Sequence, residues 1–213
     1  MGYMQYLSAN IARIGEAFTR HILLIFVSVV IATVIGIPIC LLLTKFDRME
    51  RPVFGLFKLF NIFPAFALFG ILVFYFGTGF LSAVIVIFLY ALFPIIRQTS
   101  LGIENISEQV IEASRSMGMT RMQNFRVIYL PLTLPRIING IRIATIQSVG
   151  IAIFAAYIGA GGLGEFIFYG FEAGDIYELL TGGLFVFLLA LIEHIIFRIV
   201  EYTISVDFGS KKL

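Results

Sequence analysis

The chain has 213 residues, 60% of them hydrophobic and 13% charged, with a mean hydropathy of +1.00 and a net charge of +2. That is far too apolar for one soluble core and specifies a polytopic membrane protein. The basic residues are scattered over several membrane flanks without a base-reading module, which excludes a nucleic-acid function.

Single residue types exclude further classes. Cys40 is the only cysteine, so no intramolecular disulfide can form, and with no histidine or carboxylate beside it no metal site is read. The chain holds 23 Phe and 9 Tyr but no Trp. In a membrane protein this abundance is expected to serve packing and interfacial anchoring.

In chain order, Met1 to His21 reads as an amphipathic lead-in with Arg13, Glu16 and Arg20, and His21 as an interfacial residue. The apolar run Ile22 to Leu43 is long enough to span, and no small-residue cleavage site follows it. It is therefore expected to stay in the protein rather than act as a signal peptide. Gly36 and Pro38 should bend its last third. After a loop from Thr44 to Lys58, span two covers about Leu59 to Phe76, and span three covers Phe80 to Ile96. Only Gly77, Thr78 and Gly79 separate them, which predicts a tight helical hairpin. Span four runs from about Ile141 to Ile158. Span five starts between Tyr177 and Leu184 and reaches about Val200. Five spans put the two ends on opposite sides of the membrane.

The first loop carries Lys45, Arg48, Arg51 and Lys58, and the loop 97–140 carries Arg97, Arg115, Arg121, Arg126 and Arg136. The other two connections have no Lys or Arg, and the one after span four holds Glu165, Glu172, Asp175 and Glu178. The positive-inside rule then places loop 97–140 and the C-terminus, with Lys211 and Lys212, in the cytoplasm and the N-terminus outside, against the vote of Arg13 and Arg20. Glu193, His194 and Arg198 fall within span five. A proton relay is conceivable there, but the simpler expectation is that Glu193 pairs with an arginine or meets water.

The segment IGAGGLG, Ile158 to Gly164, lacks the Lys and Ser/Thr of a phosphate loop and follows no soluble strand. Gly159, Gly161, Gly162 and Gly164 are instead expected to make a close-packed extracytoplasmic turn between membrane helices.

The stretch Gln109 to Pro135 is a polar and basic island. Ile103, Ile106, Val110, Ser114 and Met117 recur at steps of three or four, with Glu104, Glu108, Glu112 and Arg115 on the opposite side, which predicts an amphipathic helix. Gly118 should stop it. Thr120, with Gln123 in capping-box spacing, should start a second helix whose stripe is Met122, Phe125 and Tyr129, and Pro131 is expected to end it. Two short helices would then meet at a glycine elbow.

Within that elbow, Glu112, Ala113, Ser114, Gly118 and, after nine intervening residues, Ile128, Leu130 and Pro131 resemble the EAA loop of ABC importer permeases. The family pattern is Glu-Ala-Ala, three residues, Gly, nine residues, Ile-x-Leu-Pro, and the one departure, Ser114, keeps a small residue. The resemblance implies that these residues form coupling helices seated in a cleft of a cytoplasmic ATPase, with Glu112 as polar contact or helix support, Gly118 as bend and Pro131 as stop.

NIFPAFALFGIL (Asn61 to Leu72), LYALFPIIRQTSLGI (Leu89 to Ile103) and IGAGGLGEFIFYGF (Ile158 to Phe171) are similar to permease subunits of importers for glycine betaine, carnitine or choline. The similarity extends from Ile22 to about Tyr202. It implies an all-α permease of the type I importer fold, one transmembrane domain over residues 1–213 in the bacterial plasma membrane. The partners it implies are two ATPase subunits, a second permease copy or homologue, and an extracytoplasmic binding protein expected as a separate polypeptide. The chain itself would be no enzyme and hold no cofactor, ATP and Mg being bound by the ATPase. No substrate-binding residue is assigned, because in this family the aromatic cage belongs to the binding protein. A methionine-type importer permease, with its EASR-like residues and GAGGLG turn, is the nearest rival, and a proton-coupled carrier built on Glu193 and His194 a distant one.

Overall fold

The computed structural model describes residues 2–43 and 47–207, with side chains described for 2–43 and 55–203. Lys45, Lys211 and Lys212 lie outside the described residues, as do the side chains of Arg48 and Arg51. The described chain is helical throughout: α1 (Tyr3–Ala9), α2 (Ile11–Leu43), α3 (Asp47–Ile62), α4 (Ala65–Phe76), α5 (Phe80–Glu104), α6 (Glu108–Ser116), α7 (Arg121–Asn124), a π segment (Phe125–Tyr129), α8 (Leu130–Ile153), a 3-10 turn (Phe154–Ile158), α9 (Gly164–Ala173) and α10 (Ile176–Asp207). Among the described residues, four helical stretches are long and apolar enough to cross a membrane, and five if the bent pair α3–α4 counts as one.

The first span begins at Ile11 rather than Ile22, because the packing stripe Ile14, Ala17, His21, Leu24 and Ser28 continues at helical spacing through the lead-in. His21 is correspondingly not interfacial. It is fully buried, its Nε2 lies 3.2 Å from the Val149 carbonyl, and its Nδ1 accepts the Leu163 amide at 3.3 Å. Pro38 sits inside α2, which stays helical to Leu43.

Span two is not one continuous helix. Pro64 has no amide hydrogen and disfavours a helical residue before it, so α3 ends at Ile62 and α4 leaves at 101°. The break is tied to its neighbours by side chains. Tyr90 donates its hydroxyl to the Phe63 carbonyl, Asn61 Nδ2 donates to the Tyr90 carbonyl at 3.3 Å, and Gln147 Nε2 donates to Asn61 Oδ1 at 3.1 Å. At twelve residues α4 spans only about 18 Å, short of the roughly 30 Å hydrocarbon layer without α3. The hairpin into α5 turns on Gly77 and Gly79, both at positive φ.

The centre of the bundle is the antiparallel pair α5 and α8, flanked by α2 running parallel to α5. A Cβ on Gly102 would lie 2.7 Å from Thr133 Cγ2, and one on Gly140 would lie 3.1 Å from the Pro94 carbonyl oxygen. Two glycines, one on each helix, therefore let the backbones approach where larger residues would hold them apart. On α2, Ser28 Oγ donates to the Val84 carbonyl at 3.2 Å, and Cys40 is buried with its Sγ 3.5 Å from the Ile96 carbonyl. Asp175 opens α10 by accepting the Tyr177 and Glu178 amides at 2.9 and 3.2 Å, an N-cap that uses one of the acidic residues of that connection.

Candidate functional site

The elbow is built from two local signals. At the end of α6, the Met119 amide bonds the Ser114 carbonyl at 3.2 Å and the Gly118 amide bonds the Arg115 carbonyl at 2.9 Å, with Gly118 at φ +71°. This is the Schellman pairing, and the left-handed residue it demands falls on the glycine. Two residues on, Thr120 caps α7: the Gln123 amide donates to Thr120 Oγ1 at 3.3 Å, and the Thr120 amide donates to Gln123 Oε1 at 2.8 Å.

A third contact, invisible in the spacing, closes the elbow. Asn124 Nδ2 donates to Ser114 Oγ at 3.0 Å, and Ser114 Oγ donates to the Ile111 carbonyl at 2.7 Å. Ser114 is fully buried. A small side chain is thus required at that point by the crossing of the two limbs, and the hydroxyl adds a bond between them.

Pro131 does not end the second helix. The chain stays helical from Arg121 to Ile158, with Pro131 in the first turn of α8. The adjustment is made just before it: Phe125 to Tyr129 adopt the wider π turn, with the Leu130 amide bonded to the Phe125 carbonyl. A proline at 131 cannot donate to the Val127 carbonyl and presses its ring against it, and the widened turn accommodates both defects. The second limb of the elbow and span four are consequently one rod.

The other elbow residues divide by exposure. Glu112, Ala113 and Gly118 are exposed, Pro131 is half-buried, Leu130 is 42% exposed and Ile128 is buried. Of the two expected stripes, Ile106 and Ser114 of the first face inward, whereas Val110 and Met117 of the first and Met122 of the second stand out, Met117 at 68% exposure. The first helix is also interrupted: α5 reaches Glu104 and α6 starts afresh at Glu108 behind Ser107.

The glycine turn lies at the other end of the bundle, where the Gly79 amide bonds the Ile158 carbonyl at 2.7 Å. Gly159, Gly161 and Gly162 have positive φ. A Cβ on Gly164 would lie 2.0 Å from the Ile153 carbonyl oxygen, so α9 folds back directly onto the 3-10 turn. Arg20 packs over Gly161. Arg13 pairs with Glu178 at 2.7 Å and lies 4.5 Å over the Phe166 ring. At least Arg13, which opposed the orientation drawn from the loops, is thus held by the acidic connection after span four.

In α10, the arginine pair is not the expected one. Glu193 keeps one carboxylate oxygen buried without a hydrogen-bond partner, and His194 and Arg198 are exposed. The ion pair that ties α10 to α8 is Arg142 to Glu201 at 2.9 Å, with Arg142 also donating to Asn139 Oδ1 at 3.0 Å. Sequence reasoning gave no role to Asn61, Gln147, Asn124 or Glu201. Asn61 and Gln147 carried a signal, being amides inside apolar runs, where a polar side chain has to find a partner.

Residues 32–206 match the family described as the inner membrane component of binding-protein-dependent transport systems. The osmoprotectant import permease OsmW of Salmonella typhimurium is 35% identical over 197 residues, 90% of this chain and 92% of that protein. The glycine betaine/carnitine/choline transport system permease OpuCD of Bacillus subtilis is 33% identical, covering 94% of this chain and 88% of its own length. Among solved structures, an inward-facing form of the MetNI methionine ABC transporter superposes with a TM-score of 0.79 at 24% identity, over 94% of this chain and 97% of that one. That likeness establishes the fold, the permease fold of type I ABC importers. With a matching family over most of its length and relatives above 30% identity across nine-tenths of it, the chain belongs to the inner membrane components of binding-protein-dependent transport systems, and it is a transport subunit rather than an enzyme.

Proposed function

We propose that the chain is the permease subunit of an ATP-driven importer of quaternary ammonium osmoprotectants such as glycine betaine, carnitine or choline. The observation that carries the substrate class is the run of relatives with those names at 32–35% identity across most of the chain. The methionine transporter shares the fold at 24% identity, which supports no substrate.

The partners in this reading are two ATPase subunits, a second permease subunit and an extracytoplasmic binding protein. The exposed Val110, Met117 and Met122 suit an apolar seat on an ATPase, with Glu112 as the polar contact beside them. Because the second limb continues into α8, a push on the elbow moves span four as a rigid lever rather than dissipating in a hinge. The Ser114–Asn124 bond makes the first limb follow. Closure of the ATPase dimer then rocks the spans to open the pathway outward while the binding protein releases its cargo, and ATP hydrolysis resets them. The elbow is cytoplasmic in this reading, and the glycine turn and the N-terminus are outside.

The test is uptake of labelled glycine betaine into proteoliposomes holding this subunit with its ATPase, binding protein and second permease. Carnitine, choline and methionine serve as competitors. ATP-dependent uptake blocked by choline or carnitine is expected. Competition by methionine alone would reassign the substrate, and uptake without the ATPase would replace the importer by a secondary carrier.

A further inference from the structure

Four aromatic side chains from three separate elements meet at the end of the bundle that carries the glycine turn. The ring of Phe66, on α4, lies 5.4 Å from Tyr157 and 6.0 Å from Phe154, both on the 3-10 turn. Phe168, on α9, lies 4.3 Å from Tyr157 and 6.3 Å from Phe154. Three of the four contacts are edge to face, so each contact covers at most one face of a ring. Phe66 and Tyr157 are each 54% exposed and Phe154 is 37% exposed.

The same side of the molecule continues inward with amides. Gln147 and Phe154 are seven residues apart, two turns of helix, and therefore lie on one face about 10 Å apart along the axis. Gln147 is bonded to Asn61, which sits just before the α3–α4 break as Phe66 sits just after it. Gly150 lies between them on that face, exposed, with open space where a side chain would be. Half-buried amides within spanning helices face a protein interior or a hydrated path rather than lipid. This fixes the character of the face that the rings share. α4 and the stretch Ile143 to Ile158 contain no ionisable acid or base apart from the Tyr75 and Tyr157 phenols, and the carboxylates of the third element, Glu165 and Glu172, lie one helical turn to either side of Phe168 on α9, so a cation among the rings meets ring faces and amide dipoles first.

Exposed ring faces with no carboxylate among them attract a weakly hydrated cation whose charge is spread over methyl groups, and they do not bind it so tightly that it fails to leave. We propose that Phe66, Phe154, Tyr157 and Phe168 form a contact site for the quaternary ammonium group of the transported solute, with the Gln147–Asn61 pair next along its route. The solute's carboxylate or hydroxyl end is met by the amide hydrogens. The proposal rests on the substrate class argued above and assigns it a place on this chain. The solute released by the binding protein, rather than a choline headgroup of a lipid, is its occupant.

The experiment is ATP-driven choline uptake by the whole transporter in proteoliposomes of phosphatidylethanolamine and phosphatidylglycerol, which contain no choline lipid. Phe66 is replaced by phenylalanines carrying one, two and three ring fluorines, which weaken the negative ring face while keeping the shape. Uptake is expected to fall stepwise, by roughly threefold to tenfold across the series. Phe66→Leu should fall as far or further, and Phe66→Tyr should retain uptake. Gel filtration of each complex establishes that the variant assembles. Uptake indifferent to fluorination overturns the proposal. So does a series in which uptake stays level and only the stability gained from added phosphatidylcholine falls, which would make the cluster a lipid-headgroup contact. If the unmodified transporter moves no quaternary ammonium solute at all, the substrate reading itself fails, and that result is visible before any variant is made.

Discussion

Asn124 Nδ2 donates to Ser114 Oγ across 3.0 Å, and this bond is the direct side-chain link between the limbs of the elbow. Ser114→Ala keeps the packing and leaves the amide unpaired, which should loosen the elbow by about 1 kcal/mol. Faster amide exchange in α6 and α7, with assembly intact, is the expected reading. Ser114→Leu has no room at this fully buried position and should uncouple ATP hydrolysis from uptake. A leucine variant that transports at the wild-type ratio would show that the limbs need not stay together.

Gly118 is open on its surface side and is constrained only by its φ of +71°. Substitutions should therefore rank by tolerance of the left-handed region and not by size. Gly118→Asn should retain most coupled uptake, Gly118→Val should be worst, at a strain of about 1–2 kcal/mol, and Gly118→Asp, which tolerates this backbone nearly as well as Asn, should insert normally and lose coupling through the charge it adds at the exposed elbow. The ratio of solute moved to ATP hydrolysed, measured for the three variants, checks the order.

The glycine turn should respond position by position. Gly164→Ala places a carbon against the Ile153 carbonyl, at 2.0 Å before any relaxation, and is expected to prevent α9 from docking and to lower yield sharply. Gly159→Ala meets nothing within 4 Å and carries only the strain of φ +72°, so it should cost about 1 kcal/mol and assemble. Thermal melting of the detergent-solubilised variants separates the two.

His21 bonds the Val149 carbonyl and the Leu163 amide from a fully buried position. His21→Ala removes both hydrogen bonds and leaves a cavity, and a loss of about 2–4 kcal/mol is expected. His21→Gln, which keeps a donor and an acceptor, should recover part of it. A melting temperature unchanged in His21→Ala would mean that the turn is held by its glycines alone.

The orientation can be read chemically. Cys40 is buried between α2 and α5 and should not react in the folded protein. With Met117→Cys on the elbow and Glu172→Cys on α9, a membrane-impermeant maleimide should label only the α9 site in intact cells and reach the elbow after permeabilisation. The reverse pattern would invert the topology.

The elbow was legible in the chain because its signals are local. A left-handed glycine and a capping box each act over four or five residues, and both formed as spaced, whereas the longer stripe was interrupted between Glu104 and Glu108 and left Val110 and Met117 exposed. Membrane class and the apolar cores of the spans were equally legible, since a segment in hydrocarbon has to be apolar over its whole length whatever it packs against. The tertiary structure decided what depends on a distant partner. It placed His21 inside because Val149 and Leu163 surround it, continued the helix through Pro131 because a π turn made room, and bent span two because Tyr90 and Gln147 hold the broken ends. It also gave Glu201, rather than Glu193, the arginine of α8. Residues between 59 and 142 positions apart in the chain make most of these contacts, and no periodicity along one helix reports which face of another will lie against it.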